Sequence, residues 1–191
     1  IEWRRRFARF DFGVSFMDSR PVTQKIMERI PITLTIELVS MILILLIGIP
    51  IGVASAVKEG SFYDRFMTVF VFIGFAVPTF WLSLILMDFI GVRWGLLPIS
   101  GIKSLEFEKF GNFDKVIDIS KHLVLPVLVS AFGGLAGISR YMRSSMLHVL
   151  KQDYIRTARA KGLAEKDVLY KHALKNAFLP VVTILGLSVP G

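Results

Sequence analysis

The stretch Leu38–Val57 reads LVSMILILLIGIPIGVASAV and carries no charged residue over twenty positions. Phe66–Met87, which reads FMTVFVFIGFAVPTFWLSLILM, is free of charge over 22 positions. A helix that crosses the hydrocarbon core of a bilayer needs about 20 such residues, so each stretch predicts a transmembrane helix. The composition agrees, because 53% of the 191 residues are hydrophobic and the mean hydropathy is +0.60, above ordinary soluble usage. These features predict an all-α integral membrane protein, built as a polytopic helical bundle.

Two shorter apolar stretches follow. Leu123–Ile138 has sixteen residues without a charge, and a last stretch runs from Ala177 to Gly191. We predict membrane spans at about 30–57, 66–90, 122–142 and 177–191, the last of them incomplete. The sequence starts without methionine, lacks a signal-peptide pattern and stops inside an apolar stretch, so we expect a fragment of a longer chain. A first span is then expected before residues 1–29.

The charge of the chain indicates the class of its partner but not the orientation of the spans in the membrane. The chain has 23 Lys and Arg against 15 Asp and Glu, a net charge of +8. No nucleic-acid-binding motif accompanies this charge, so the predicted partner is the lipid membrane and not nucleic acid. Basic residues divide twelve against eleven between the two sides of the membrane, and only their density favours 58–65 and 139–176 as cytoplasmic. Cysteine is absent, which excludes disulfides and thiolate metal sites.

Two glycine pairs punctuate the predicted spans. Gly48/Gly52 and Gly133/Gly137 each place two glycines four residues apart, on one helical face. Such faces allow helix backbones to approach closely in a membrane. We predict packing for both pairs, with Gly133 and Gly137 awaiting a partner. Substrate-binding residues are not predicted.

The basic loop after the third span predicts a helix–turn–helix at the membrane face. Asp153 is expected to cap a short helix over 154–161, and Gly162 to end it in a left-handed conformation. A second helix is expected over about 165–177. The loop presents three basic side chains: Arg156, Arg159 and Lys161. The charge and helical pattern of this loop fit two functions, which are the binding of lipid headgroups and the docking of a protein.

The loop sequence resembles one transporter family. Asp-Tyr-x-Arg-Thr-Ala-Arg-Ala-Lys-Gly-Leu at 153–163, followed by His-Ala-x-x-Asn-Ala at 172–177, is similar to the coupling loop of permease subunits of ATP-binding-cassette importers, in the dipeptide/oligopeptide/nickel branch. Further matching segments occur in order along nearly the whole chain: 11–15, 20–22, 29–34, 48–52, 78–81 and 139–146. The Glu-Ala-Ala of sugar and amino-acid importers is replaced by Arg156-Thr157-Ala158, which fits the peptide branch.

The resemblance implies a topology and a set of site residues. Residues 1–29 would be extracytoplasmic, 30–191 would form the permease transmembrane domain, and 143–176 would be the cytoplasmic coupling loop. Ala158 would contact a groove of the ATPase, and Arg156 and Arg159 would lie at its rim or contact lipid. The implied coupling residues are Asp153, Tyr154, Arg156, Thr157, Ala158, Arg159, Ala160, Lys161, Gly162, His172 and Asn176.

The resemblance also implies an activity and an assembly. The chain would be the permease subunit of an ATP-driven importer in a prokaryotic inner membrane, forming the pathway for peptides or similar small solutes. Its partners would be a second homologous permease, two ATPase subunits and an extracytoplasmic substrate-binding protein. ATP and Mg²⁺ would bind to the ATPase subunits, because this chain has no Gly-x-x-x-x-Gly-Lys-Ser/Thr motif. We therefore expect no enzyme activity, catalytic residue, metal or cofactor in the chain itself. The substrate stays open among dipeptides, oligopeptides, nickel complexes and oligosaccharides.

Three other classes of function are weaker interpretations. A secondary transporter needs ionisable residues deep in the bilayer, and Glu37 and Asp88 lie near span ends. An intramembrane hydrolase needs a Ser–His or metal constellation, and the three histidines lie at or outside span ends: His122, His148 and His172. A membrane anchor with a lipid-binding amphipathic helix is physically possible but does not explain the ordered motifs.

Overall fold

The computed structural model describes residues 10–188, and its secondary structure is helical. Within these residues the one β-type feature is an isolated antiparallel bridge between Val14 and Pro21. The predicted all-α class is confirmed. The first nine residues of the predicted segment 1–29 and the last three of the predicted span 177–191 lie outside the described residues.

Most of the helices follow one another with short connections, and a longer loop precedes the helix that begins at Asn112. The principal ones are α1 Val22–Val57, α2 Phe62–Ala76, α3 Thr79–Leu86, α4 Asn112–Leu150 and α5 Asp153–Ala160. The remaining ones are α6 Glu165–Asp167, α7 Lys175–Ala177 and α8 Leu179–Ser188. π-Helical segments at Met87–Arg93 and Val168–Leu174 continue α3 and join α6 to α7, and a 3₁₀ turn occupies Phe107–Lys109.

The chain divides into two units, residues 1–39 and 40–191. In the described part of the first unit, ion pairs stabilise the turn that leads into α1. Lys25 Nζ lies 2.9 Å from Asp18 Oδ2, and Arg20 Nη2 lies 2.5 Å from Glu28 Oε1. The hydrogen bond from Lys25, together with one from Ser15, lowers the pKa of Asp18 to about 2. In the described residues of this unit, charge pairs therefore hold the turn before α1.

Helices α1 and α4 are each long and apolar enough to cross a membrane, whereas α2 and the α3 segment form a bent pair. The bend between Phe62–Ala76 and Thr79–Arg93 is 97°. Val77 is extended, with φ −79° and ψ 117°, and Pro78 caps α3. Proline drives the preceding residue out of the helical region, so the helix ends there. The single span predicted over 66–90 is thus broken at Pro78.

Helix α4 extends beyond the predicted span 122–142 at both ends. Its first ten residues, 112–121, lie between the predicted spans 66–90 and 122–142. Ser104 explains part of this order, because its backbone N–H donates to Asp118 Oδ2 at 2.9 Å and its hydroxyl donates to Asp118 Oδ1. The loop before α4 is thereby attached to the helix that follows it.

Glycines allow α1 and α4 to touch. A Cβ at Gly52 would lie 2.6 Å from the backbone oxygen of Ser139 and 2.7 Å from Met142 Cβ, closer than real side chains approach. The predicted packing role of Gly48/Gly52 is confirmed. A Cβ built at Gly133 or Gly137 meets no atom within 4 Å in the described part of the chain, so these two glycines face no helix of the described chain.

The core lies around the last third of α4, not midway along the spans. Met142 and Met146 are fully buried there, and the cluster continues into the segments that follow α4. Its other members are Ala56, Ile138, Val149, Ile155, Ala158, Val168, Ala173, Ala177 and Val181. The extramembrane loop is therefore packed onto the end of α4 as part of one apolar cluster.

Candidate coupling loop

The short helix α5 begins without a side-chain cap. Gln152 is the residue before its first turn, and it makes no capping hydrogen bond. The prediction that Asp153 caps this helix is wrong, because Asp153 lies inside the first turn. Its carboxylate lies 3.5 Å from Arg156 Nη1, and its negative charge still suits the amino end of a helix.

The end of α5 is the turn that the sequence predicts. Gly162 has φ +76°, in the left-handed region where glycine has no Cβ penalty. Its N–H donates to the Arg159 carbonyl at 2.9 Å, and the Leu163 N–H donates to the Ala158 carbonyl at 3.4 Å. These two bonds form a Schellman motif, which satisfies carbonyls left open at the helix end. The predicted role of Gly162 in the turn is confirmed.

An ion pair joins the two sides of this turn. Arg159 Nη2 and Nε lie 2.7 and 3.1 Å from the two carboxylate oxygens of Glu165. This two-point contact lowers the pKa of Glu165 and raises that of Arg159. The family resemblance predicts that Arg159 contacts the rim of a partner or lipid, whereas in the structure it pairs with Glu165 within the loop. Glu165 was missed because the pair forms only once the intervening turn is built.

The second helix occupies the predicted range 165–177 but is π-helical at its centre. Val168, Ala173 and Ala177 are fully buried on its inner side. Asn176 Nδ2 donates to the His172 carbonyl at 2.8 Å, one turn back along the same segment. His172 and Asn176 are therefore next to each other on the second helix, separate from the predicted residues on α5.

The structure divides the predicted coupling residues into an exposed set and a buried one. Ala158 is only 7% exposed and packs with Ile155 in the core of the chain itself. The side chain of Ala158 thus packs inside the chain, and its contact with an ATPase groove stays a prediction. The spacing of Ile155 and Ala158 was the available signal, since apolar residues at i and i+3 lie on one helical face. His172 is half-buried, and the exposed members are Asp153, Tyr154, Arg156, Thr157, Arg159, Ala160, Lys161, Gly162 and Asn176.

Two further contacts fix the loop to the spans and were not predicted. Ser145 Oγ donates to the Ala177 carbonyl at 2.7 Å, which joins α4 to the end of the second helix. Arg143 on α4 forms a two-point ion pair with Asp64 on α2, 79 positions away in sequence. No local pattern marks partners at such separation.

The family described as "Binding-protein-dependent transport system inner membrane component" matches residues 48–191. The chain belongs to this family. The family description assigns its members to the inner membrane, in agreement with the two helices and the bent pair that are long and apolar enough to cross one. The family resemblance predicted from the sequence is confirmed.

Individual members of this transport family are similar along nearly the whole chain. The oligopeptide transport system permease protein AppB of Bacillus subtilis (strain 168) is 48% identical over 191 residues, which are 100% of this chain and 59% of AppB. The dipeptide transport system permease protein DppB of Escherichia coli (strain K12) is 39% identical over 195 residues, covering 94% of this chain and 58% of DppB. The inner membrane ABC transporter permease protein YejB of Escherichia coli O157:H7 is 36% identical over 178 residues, covering 92% and 49%. The chain thus spans between half and three-fifths of the length of these relatives.

Proposed function

We propose that this chain forms part of the permease subunit of an ATP-driven peptide importer and that its loop 143–176 couples the permease to an ATPase. The observation that carries the proposal is the two-sided construction of α5. Its inner side, Ile155 and Ala158, is buried in the core at the end of α4. Its outer side is exposed and basic. A helix that is exposed on one side and packed into the core on the other can pass a displacement caused by a partner to that core.

The docking contacts are proposed for the outer side. Tyr154 is 44% exposed and offers an aromatic ring with a polar tip, a side chain enriched at protein interfaces. Arg156 and Lys161 supply positive charge on the same exposed helix and its turn. Ala158 holds α5 onto the chain's core and so transmits the displacement. Closure of the ATPase on ATP would move α5, and the buried cluster would pass that movement to α4.

Assembly with partners is the second part of the proposal. It comprises a second homologous permease, two ATPase subunits that bind ATP and Mg²⁺, and an extracytoplasmic substrate-binding protein. Peptides are the proposed substrates, supported by the oligopeptide and dipeptide systems that name AppB and DppB. No cofactor is proposed for this chain itself.

Docking is tested by charge reversal on the exposed side of α5. In the complete importer, Lys161→Glu should reduce the amount of ATPase that copurifies with the permease and reduce ATP-dependent peptide uptake in vesicles. Lys166→Glu is the matched control, because Lys166 is an exposed lysine of the same loop outside the predicted set. Equal copurification and uptake for both variants would refute docking through α5. Reduced uptake with unchanged ATPase copurification, seen only in vesicles that contain anionic lipid, would instead identify a lipid-binding helix.

Orientation is tested separately. We propose that residues near Glu106 face the cell exterior and those near Lys161 face the cytoplasm. The absence of native cysteine allows Glu106→Cys and Lys161→Cys to be labelled one at a time with a thiol reagent that does not cross the membrane. The cells are treated so that the outer envelope is permeable to the reagent and the inner membrane stays intact. The cysteine at position 106 should then be labelled, and the cysteine at position 161 should not. The reverse pattern would overturn the orientation.

A further inference from the structure

We propose that Asp64 and Arg143 are a positioning pair that passes the movement of the coupling loop from α4 to α2. The inference rests on the proposed coupling function and adds residues to it. Arg143 Nε lies 2.6 Å from Asp64 Oδ1, and Arg143 Nη2 lies 2.7 Å from Asp64 Oδ2. The carboxylate side chain is 5% exposed and the guanidinium side chain 31%. A two-point contact of this kind fixes direction as well as distance.

On the α2 side, Asp64 also holds the turn that joins α1 to α2. Its Oδ2 accepts the backbone N–H of Gly60 at 3.0 Å, and its own N–H donates to Ser61 Oγ at 3.2 Å. Arg65 donates to the Gly60 carbonyl from two guanidinium nitrogens. A pull on the Asp64 carboxylate therefore acts on the whole turn and on the first residues of α2 together.

On the α4 side, Arg143 lies within the segment that carries the coupling loop. Met142, its neighbour in sequence, and Met146 are fully buried in the cluster shared with α5 and the second helix. Ser145 adds the hydrogen bond to the Ala177 carbonyl. A displacement of the loop is thus passed to the backbone that bears Arg143.

Beside the ion pair, α2 and α4 enclose a space together with α1. A cavity of about 230 Å³ lies between them and α1, lined on α2 by Thr68 and Val71 among others. Further along, Arg140 lies over the Phe72 ring at 5.8 Å, and a Cβ at Gly74 would lie 3.1 Å from Ala136 Cβ. On the loop side of the cavity, the ion pair joins α2 to α4 through two charged hydrogen bonds.

The far end of α2 is not continuous with α3. The helix stops at Ala76, Val77 is extended, and α3 continues at 97° to it. Helix α2 is held to α4 by a close contact at Gly74 and by the ion pair at Asp64. A displacement at Asp64 can therefore rotate α2 about the contact at Gly74. Stability alone does not account for the bridge, because a buried ion pair is commonly no more stabilising than an apolar replacement. An ion pair with two hydrogen bonds fixes the relative direction of the two side chains, whereas apolar packing does not.

The test uses the complete importer reconstituted in vesicles, and the readout is peptide imported per ATP hydrolysed. Asp64→Asn should leave ATP hydrolysis in the assembled complex while lowering this ratio by about tenfold, the usual scale of coupling between sites. The exchanged double variant Asp64→Arg with Arg143→Asp should recover most of the ratio. Asp88→Asn is the matched control, since Asp88 pairs with Arg93 in an exposed contact at 2.8 Å, and it should leave the ratio unchanged.

A ratio that stays at the wild-type value in assembled Asp64→Asn, or an exchanged variant no better than the single one, would overturn the inference. If Asp64→Asn does not assemble, Arg143→Lys decides, because lysine keeps the charge and loses the two-point geometry. An intermediate ratio supports the link, and a wild-type ratio refutes it. Failure of the wild-type importer to couple uptake to ATP would refute the proposed function instead, so the two failures are distinguishable.

Discussion

The two ends of α4 belong to the same helix but are held in different ways. At the first end, near Asp118, the preceding loop is attached through Ser104, and Leu105 beside it is fully exposed. At the second end, Met142 and Met146 are fully buried against the loop that follows. One end is fixed by a local polar contact and the other by a continuous apolar cluster. The second end is therefore the more firmly packed of the two, which fits the coupling that we propose for it.

The largest expected effect compares a long aliphatic side chain at each end. Met146→Ala removes a fully buried side chain and should lower the free energy of unfolding by about 2–5 kcal/mol. Leu105→Ala removes an exposed one and should change it by no more than about 0.5 kcal/mol. Thermal unfolding of the two purified variants in the same detergent measures both. Equal losses would contradict the comparison, because they would mean that the exposed Leu105 stabilises the fold as much as the buried Met146.

A second comparison uses glycines with left-handed backbones, one on each side of α4. Gly162 has φ +76° and Gly101 has φ +81°, so valine at either position should introduce strain of about 1–3 kcal/mol. The functional result should differ, because only Gly162 ends the helix that we propose to dock. Gly162→Val should reach the membrane and lose substrate-stimulated ATP hydrolysis in the reconstituted importer.

Gly101→Val should lose a similar amount of stability and retain stimulated hydrolysis. The milder Gly162→Asn should recover part of the stimulation, because asparagine tolerates the left-handed region better than valine. If Gly101→Val and Gly162→Val lower stimulation equally, the turn after α5 has no special part in coupling.

The sequence predicts these features to very different degrees. The twenty charge-free residues of Leu38–Val57 determine the membrane class by length alone. Gly162 is predictable because a left-handed helix end strongly favours one residue type. The bend at Pro78 is only half predictable, since proline marks the break while tertiary packing determines the angle. The ion pair of Asp64 escapes prediction because its partner Arg143 lies in another helix, and a single sequence carries no record of which helices meet.

The smallest expected effect concerns an exposed ion pair near each end of α4. Hydrogen bonding to Arg159 lowers the pKa of Glu165, and hydrogen bonding to Lys103 lowers that of Glu108, both from an ordinary value of 4.5. A carboxyl group whose pKa is lower in the folded state stabilises the fold above its unfolded pKa. That contribution is lost as the pH falls through the folded-state pKa. Solvent screening should hold the Glu165 contribution to no more than about 1 kcal/mol.

Glu165→Gln should therefore lower the unfolding temperature slightly at neutral pH, and the difference from the wild type should shrink as the pH falls below 4.5. Glu108→Gln should show the same sign with a smaller amplitude, because Lys103 offers one contact at 2.7 Å whereas Arg159 offers two. Unfolding temperatures of both variants, measured across this pH range at low and high salt, give the amplitudes. A larger shift for Glu108→Gln would mean that the charge pair at the first end bears more of the structure than the apolar cluster at the second end suggests. The two ends of α4 would then differ only in how their apolar side chains are packed.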